Sequence, residues 1–258
     1  MTRTGWPRAG WWRTGCALLA VILAVFAPLA SANDAILRPG LVGPDDRRIA
    51  AEAPWMAAVG RLNVPGGGFC TATLIEPDLV LTAAHCLFFP RTGRQMPPDR
   101  LHFLAGYRKG VYAAHRLGAE IIVSRRYAKT AAQRRVLAAE DIALVRLETP
   151  IEDVAPLTVA RLPGPDRQLT TLAYARDRAE LPSIERGCAL LRPGGGARQL
   201  LLTTCDVNFG ASGSPLIVEQ GQDRRVVAVM TGVRRKAGAV QTLAVRAQYW
   251  RERLQRTP

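Results

Sequence analysis

Apolar residues in this chain fall in short runs of four to seven, broken by Gly, Pro, Asn and Asp. Such runs are the pattern of buried strands separated by turns. Six precede Pro150: Met56–Leu62, Phe69–Ile75, Leu79–Thr82, Leu101–Leu104, Glu120–Val123 and Ile142–Leu147. Six follow it: Leu157–Leu162, Gln168–Tyr174, Cys188–Leu191, Leu200–Thr204, Pro215–Val218 and Arg225–Thr231. Prolines crowd the stretch from Pro150 to Pro165, where a crossover between two units is expected. About six short strands suit a small closed barrel, so the pattern predicts an all-β chain with one barrel on each side. The period changes near the end. Val245, Tyr249 with Trp250, and Leu254 recur at helical spacing, which predicts a C-terminal α-helix within Val240–Arg256.

The first thirty-two residues read as an address. Arg3, Arg8 and Arg13 precede an uncharged run, Ala17–Leu29, that ends in Ala30-Ser31-Ala32. A bilayer needs about 20 apolar residues, and this run is shorter. The expectation is a secretory signal peptide cut after Ala32, with a retained membrane anchor as the alternative. Cys16 precedes the apolar run, whereas a lipid-bearing Cys would follow it. The resulting organisation is 1–32 signal peptide, 33–48 irregular leader or propeptide, 49–150 first barrel and 151–258 second barrel with the helix. The product would be secreted or periplasmic, without a stable membrane anchor, and a monomer.

Four cysteines then remain: Cys70, Cys86, Cys188 and Cys205. An even count in an exported chain suggests two disulfides. A hairpin turning at Glu76-Pro77-Asp78 would bring Cys70 to Cys86, which leaves Cys188 with Cys205. Each bridge closes a loop of roughly 15 residues, about 3 kcal/mol in the chain-entropy picture. A zinc site would want clustered ligands such as C-x-x-C, and the chain has none. Neither a metal nor a cofactor is expected.

Three segments carry chemistry. In Leu81-Thr82-Ala83-Ala84-His85-Cys86 a histidine follows a strand, beside a probable bridge. Its neutral-range pKa suits a general base that later acts as acid. In Glu140-Asp141-Ile142-Ala143-Leu144-Val145 an acid stands at the mouth of an apolar strand. A carboxylate buried there needs a partner, and a histidine Nδ1–H is suitable. In Gly210-Ala211-Ser212-Gly213-Ser214-Pro215 glycines flank a serine, permitting a tight turn whose N–H groups can meet an oxyanion. Alone, each also reads as an ordinary polar strand end or turn.

Together, T-A-A-H-C, D-I-A-L-V-R-L and G-x-S-G-S-P, in that order, resemble the trypsin/chymotrypsin-like serine peptidases. Gly43-Pro44-Asp45-Asp46-Arg47, Pro54-Trp55 and Val59-Gly60-Arg61-Leu62 look like the bacterial V8-like (glutamyl-endopeptidase-like) branch. The resemblance covers roughly residues 43–247. It implies two perpendicular six-stranded antiparallel β-barrels with the site in the cleft between them. It implies a triad of His85, Asp141 and Ser212, an oxyanion hole from the N–H groups of Gly210 and Ser212, and protein or peptide substrates. Thr231 falls where the family has a Ser/Thr beside the catalytic Asp, and Thr231–Gly232–Val233 should pair with an extended substrate. The Cys70–Cys86 bridge also matches the family's.

Departures sharpen the reading. Ala211 stands where zymogen-activated members have an Asp, so their switch is not available. Arg47-Arg48-Ile49 therefore reads as part of an extended leader rather than an activation site. Asp206, six residues before Ser212, counts to the pocket-base position that selects Arg or Lys. Cys205 does not sit where those members place their nearby cysteine, so a structural role for Asp206 stands beside the pocket role. Met230 occupies the place where glutamyl-specific members need a His, which disfavours acidic substrates. Basic and apolar or broad preferences both remain open.

Of 35 basic residues 32 are Arg, and the formal net charge is +14. Such a surface favours anionic partners. The alternative function is thus a non-catalytic or latent peptidase-fold protein that binds anionic surfaces through an Arg-rich face. Nucleic acid is not expected, since no nucleic-acid motif is present. His102 and His115 lack a neighbouring ligand cluster in the sequence and read as surface residues.

Overall fold

The computed structural model describes residues 1–2, 40–133, 137–164, 168–191, 199–236 and 239–249. The expected signal peptide and most of the expected C-terminal helix lie outside these residues. The first strand, β1 (Arg48–Ile49), pairs antiparallel with β10 (Ser183–Leu191), late in the chain. The leader is thus stitched to the second half of the molecule before the first barrel begins.

That barrel starts with β2 (Val59–Val64) and β3 (Gly68–Glu76). The turn between them puts Gly66 and Gly67 at φ +94° and +81°, where a side chain would be strained. Four strands follow: β4 (Leu79–Thr82), β5 (His102–Ala105), β6 (Ala114–Val123) and β7 (Ala143–Leu147). They close in the order β2-β3-β4-β7-β6-β5, which leaves no free edge. Leu62, Leu74, Leu81, Phe103 and Leu144 fill the barrel. Met56–Ala58, expected as strand, belong to a 3-10 turn, Pro54–Ala58, because Pro54 fixes a helical φ at its start.

Between β6 and β7 runs a helix that the strand pattern did not predict, α1 (Arg125–Ala132). Ser124 caps it, its Oγ accepting from Tyr127 N at 3.0 Å. Tyr127 and Ala131, four apart, form its buried face.

In the second half β8 (Thr158–Val159) lies parallel on β13 (Asp223–Lys236). β9 (Gln168–Ala173), β10, β11 (Leu200–Thr203), β12 (Pro215–Gln220), β13 and β14 (Ala239–Arg246) complete the set. The ring β9-β10-β11-β14-β13-β12 closes because β9 pairs with both β10 and β12. Two closed six-stranded barrels result. The C-terminal helix is present but starts later than Val240, because Ala239–Arg246 is strand, hydrogen-bonded to β11 on one side and β13 on the other. The β-branched residues of β14, Val240, Thr242 and Val245, fit a strand paired on both sides. Helix begins only at Ala247. Both expected disulfides form, Cys70–Cys86 and Cys188–Cys205.

The leader is held by a buried arginine. Arg47 is 3% exposed, with its guanidinium on Asp45 (2.9 Å) and Asp177 (2.7 Å). Burial works to raise both carboxyls, but the hydrogen bonds and charge of Arg47 outweigh it and hold them below their ordinary range. This contribution is present above the unfolded carboxylate range and is lost as pH falls through the lowered values. Removing the cation takes the guanidinium from Asp177 and leaves Asp45 with Arg178 alone. Arg47→Ala should lower unfolding stability by about 3 kcal/mol near neutral pH, read as a fall in urea midpoint, with a smaller loss near pH 3.

Candidate active site

The site is built where the two barrels meet, and the meeting point is Thr71 on β3. This threonine is fully buried. Its N–H donates to Ser212 O at 2.9 Å, and its Oγ1 donates to Gly210 O at 3.0 Å. The same Oγ1 accepts from Tyr174 N at 3.0 Å, while Thr71 O accepts from Thr82 Oγ1 at 2.8 Å. One first-barrel residue thereby positions both ends of the turn that carries Ser212. The turn needs its glycines. Gly210 has φ +94°, and a Cβ there would stand 2.4 Å from the Phe69 ring. Gly213 has φ +86°, and a Cβ there would stand 2.1 Å from Thr71 O. Positive φ and close backbone approach both exclude a side chain.

His85 lies on the 3-10 turn Ala84–Leu87 that follows β4, and Asp141 lies just before β7. β4 and β7 are neighbours, with Thr82 opposite Ala143. The pairing brings the two residues together from 56 positions apart. Asp141 Oδ2 is 2.7 Å from His85 Nδ1, and Oδ1 accepts from His85 N at 2.8 Å. Asp141 is 1% exposed while the His85 side chain is 30% exposed. Burial pushes the His85 imidazole down, but the charge and hydrogen bond of Asp141 prevail and raise it above its ordinary value. The buried Tyr127 phenol of α1 also reaches Asp141. Burial foremost, then that carboxylate, hold the phenol far above its usual range, so it stays a donor. No hydrogen bond joins Thr231 to Asp141 among the described residues.

His85 and Ser212 share a cavity of about 350 Å³, lined also by Gly40, Val207, Asn208, Met230, Thr231 and Val233. Neither Gly210 N nor Ser212 N donates to another group among the described residues. The Phe209 carbonyl accepts from Arg176 N at 2.6 Å, so Gly210 N–H in the same planar peptide points the opposite way. Two free donors flanking a serine are what a developing oxyanion requires.

Asp206 does not reach this cavity. It is 2% exposed, and its carboxylate accepts from Val42 N (2.6 Å) and Asp46 N (2.9 Å) of the leader. Its own N–H donates to Glu185 Oε2 at 2.6 Å, and burial, with the Asp206 charge adding to it, pushes the Glu185 carboxyl up to about 7. The structure brings His85, Asp141, Ser212, Thr231, Gly232 and Val233 together and leaves Asp206 with the leader. Thr71, Tyr127 and Gly40 were not singled out from sequence. The available signals were a threonine inside an apolar strand and Ser124 placed as an N-cap before Tyr127 and Ala131.

A model of the trypsin-like peptidase domain matches residues 70–229. Among solved structures, a Glu endopeptidase superposes with TM-score 0.67 at 19% identity, over 82% of this chain and 96% of that one. A thermostable serine protease from an extremophilic microorganism gives 0.62 at 16% identity, over 78% and 99%. The protease Anisep from Arthrobacter nicotinovorans gives 0.61 at 13%, over 75% and 91%. At these identities the likenesses speak for the fold.

Thr71→Val keeps the shape and removes Oγ1, leaving Tyr174 N and Gly210 O without that partner. The expected cost is about 1–3 kcal/mol of stability. Thermal melts and the rate of active-serine labelling should fall together, whereas Thr71→Ser should retain most of both.

Proposed function

Because the chain belongs to the trypsin-like peptidase domain family, we propose that it is an exported serine endopeptidase whose catalytic residues are His85, Asp141 and Ser212. The observation that carries this reading is the buried Asp141 carboxylate gripping His85 on the wall of the cavity that Ser212 also lines. In this reading Ser212 Oγ attacks the substrate carbonyl carbon while His85 Nε2 takes its proton. Asp141 fixes the tautomer through Nδ1 and stabilises the imidazolium. The oxyanion receives hydrogen bonds from Gly210 N and Ser212 N. His85 then returns the proton to the leaving amine, and water releases the acyl-enzyme by the same steps. The Thr231–Val233 segment of β13 pairs with the extended substrate backbone.

Substrate preference follows from what the cavity lacks. Val207, Met230 and Val233 are apolar, and the Asp206 carboxylate is spent on the leader. An Arg or Lys side chain entering here would lose water without gaining a counter-charge. The reading is therefore a preference for an apolar residue before the cleaved bond. Gly40 lines the cavity, and the Arg48–Ile49 bond lies within a strand pair, so in this reading residues 40–49 stay with the catalytic unit. Two disulfides suit an oxidising compartment. No helix among the described residues is long and apolar enough to cross a membrane.

A fluorophosphonate should label the folded protein, and Ser212→Ala or His85→Ala should abolish labelling. Well-folded protein that resists labelling would instead favour the binder of anionic surfaces. Only neutral His85 acts as base, so the labelling rate should rise with pH through an apparent pKa above the ordinary 6.5. Asp141→Asn removes the raising influence and leaves the burial. The limb should then move to lower pH and the rate fall on the order of 10⁴-fold. In a peptide panel, Leu, Met or Phe before the cleaved bond should exceed Arg, Lys and Glu at least tenfold in kcat/KM, a gap of about 1.4 kcal/mol.

A further inference from the structure

Thr231–Val233 is the near half of a longer open edge. β13 pairs with β12 as far as Pro215 opposite Val229. Met230 N then donates to Ser214 O at 2.9 Å, and Met230 O accepts from Gly213 N at 2.7 Å. Beyond Met230 the strand runs on to Lys236 with β14 along one side. Among the described residues no strand pairs with positions 231–236 on the other side. Six residues at about 3.3 Å each give an edge of about 20 Å that starts at the serine turn. A Cβ on Gly232 would meet nothing within 4 Å, so there is room over this edge for another chain. Its far half is cationic in sequence: Arg234, Arg235 and Lys236.

Resting on the peptidase reading above, we propose that Arg234 and Arg235 form a binding site for acidic side chains of the substrate, four and five residues before the cleaved bond. The register follows from strand geometry. Ser212 and Thr231 line one cavity, so the residue before the cleaved bond lies beside Thr231. β13 leads away from Ser212 in its N-to-C direction, while the substrate chain approaches Ser212 in its own. The two therefore run antiparallel, each further substrate residue advancing one position along β13. The third residue before the bond reaches Val233, and the fourth and fifth reach Arg234 and Arg235. Successive side chains of a strand take opposite faces, so the two arginines flank the incoming strand from both sides.

The local charges favour an acid. Arg234 Nε donates to Gln241 Oε1 at 2.8 Å, its partner across the ladder. That amide is neutral, so it orients the guanidinium without cancelling its charge. Arg234 is half-buried and Arg235 is exposed. A substrate carboxylate placed here gains charge-assisted hydrogen bonds that a neutral side chain cannot make. The basic residues at the other end of the strand are matched already: Arg224 lies on Glu219 and Arg225 on Asp223. Arg225 is about 30 Å from Arg235 along the strand, well beyond a Debye length of about 8 Å.

The test is a peptide series built on the residue the parent chain prefers before the cleaved bond, with Asp-Asp, Ser-Ser or Lys-Lys at the fourth and fifth positions before it. At low salt the Asp peptide should exceed the Ser peptide at least fivefold in kcat/KM, chiefly through KM, and the Lys peptide should fall below both. The gap should close in about 0.5 M NaCl. The double substitution Arg234→Gln with Arg235→Gln should bring the Asp-to-Ser ratio to about one, whereas Arg225→Gln should keep it. The ratio compares two peptides on one protein, so partial loss of folded protein leaves it unchanged. A parent chain that takes no fluorophosphonate label, or takes it and cleaves no peptide, would overturn the endopeptidase reading and the site with it. An active parent that cleaves all three peptides equally would overturn the site alone. So would a ratio that survives the double substitution, or one that falls as far with Arg225→Gln.

Discussion

Everything at the site depends on how two closed barrels, each complete in its own hydrogen bonding, are held in one relative position. A closed barrel leaves little edge for further pairing, and what the second one offers is taken by β1 and β8. The link between the barrels comes largely from side chains and turns, and at the site Thr71 supplies it, with Tyr174 on Tyr107 and Lys109 on Glu180 further along. Thr71 contributes an N–H, a carbonyl and a hydroxyl to partners on β4, at Tyr174 and in the serine turn. Its neighbour Cys70 is bridged to Cys86, the residue after His85. The two adjacent positions on β3 thus tie the serine turn and the histidine turn to the same strand. Van der Waals crowding at Gly213 adds a third restraint, since the turn lies too close to Thr71 O for any side chain.

The leader has a comparable role for the substrate cavity. Buried Arg47 and Asp206, with the partly exposed Asp45 and Asp177, form a set of polar groups whose hydrogen bonds run from residues 42–47 into the second barrel. Buried charges of this kind survive only when paired, which makes the leader's seat specific rather than strong. One consequence reaches the chemistry of recognition. A carboxylate that sequence counting places at the base of the pocket is drawn to backbone N–H groups of the leader instead. The cavity is left with mainly apolar walls and no carboxylate among its lining residues.

The histidine illustrates a balance between burial and partnership. Desolvation alone would weaken His85 as a base, while the Asp141 carboxylate more than reverses it. The acid pays for nothing in return, because it is satisfied on both oxygens by His85 and approached by Tyr127. The helix that delivers Tyr127 sits between β6 and β7, so a surface insertion in the first barrel supports the site from behind.

The sequence by itself determined the strand runs, both disulfides, the two-barrel class and the three short segments that meet at the site. These are local properties: apolar runs of strand length, a turn between paired cysteines, and glycines around a serine. Tertiary structure decided what local pattern cannot encode. Val240–Val245 falls in the stretch expected to be helical from the spacing of Val245, Tyr249 and Leu254, and the strands on either side make it β14. α1 is short and Arg-rich, and its buried face consists of two residues, too little for a periodic signal. Asp206 and Thr71 are single polar residues in apolar surroundings. Their roles are set by partners up to 164 positions away, and hydrogen-bond partnership at that distance is a property of the closed barrels, not of the neighbouring residues.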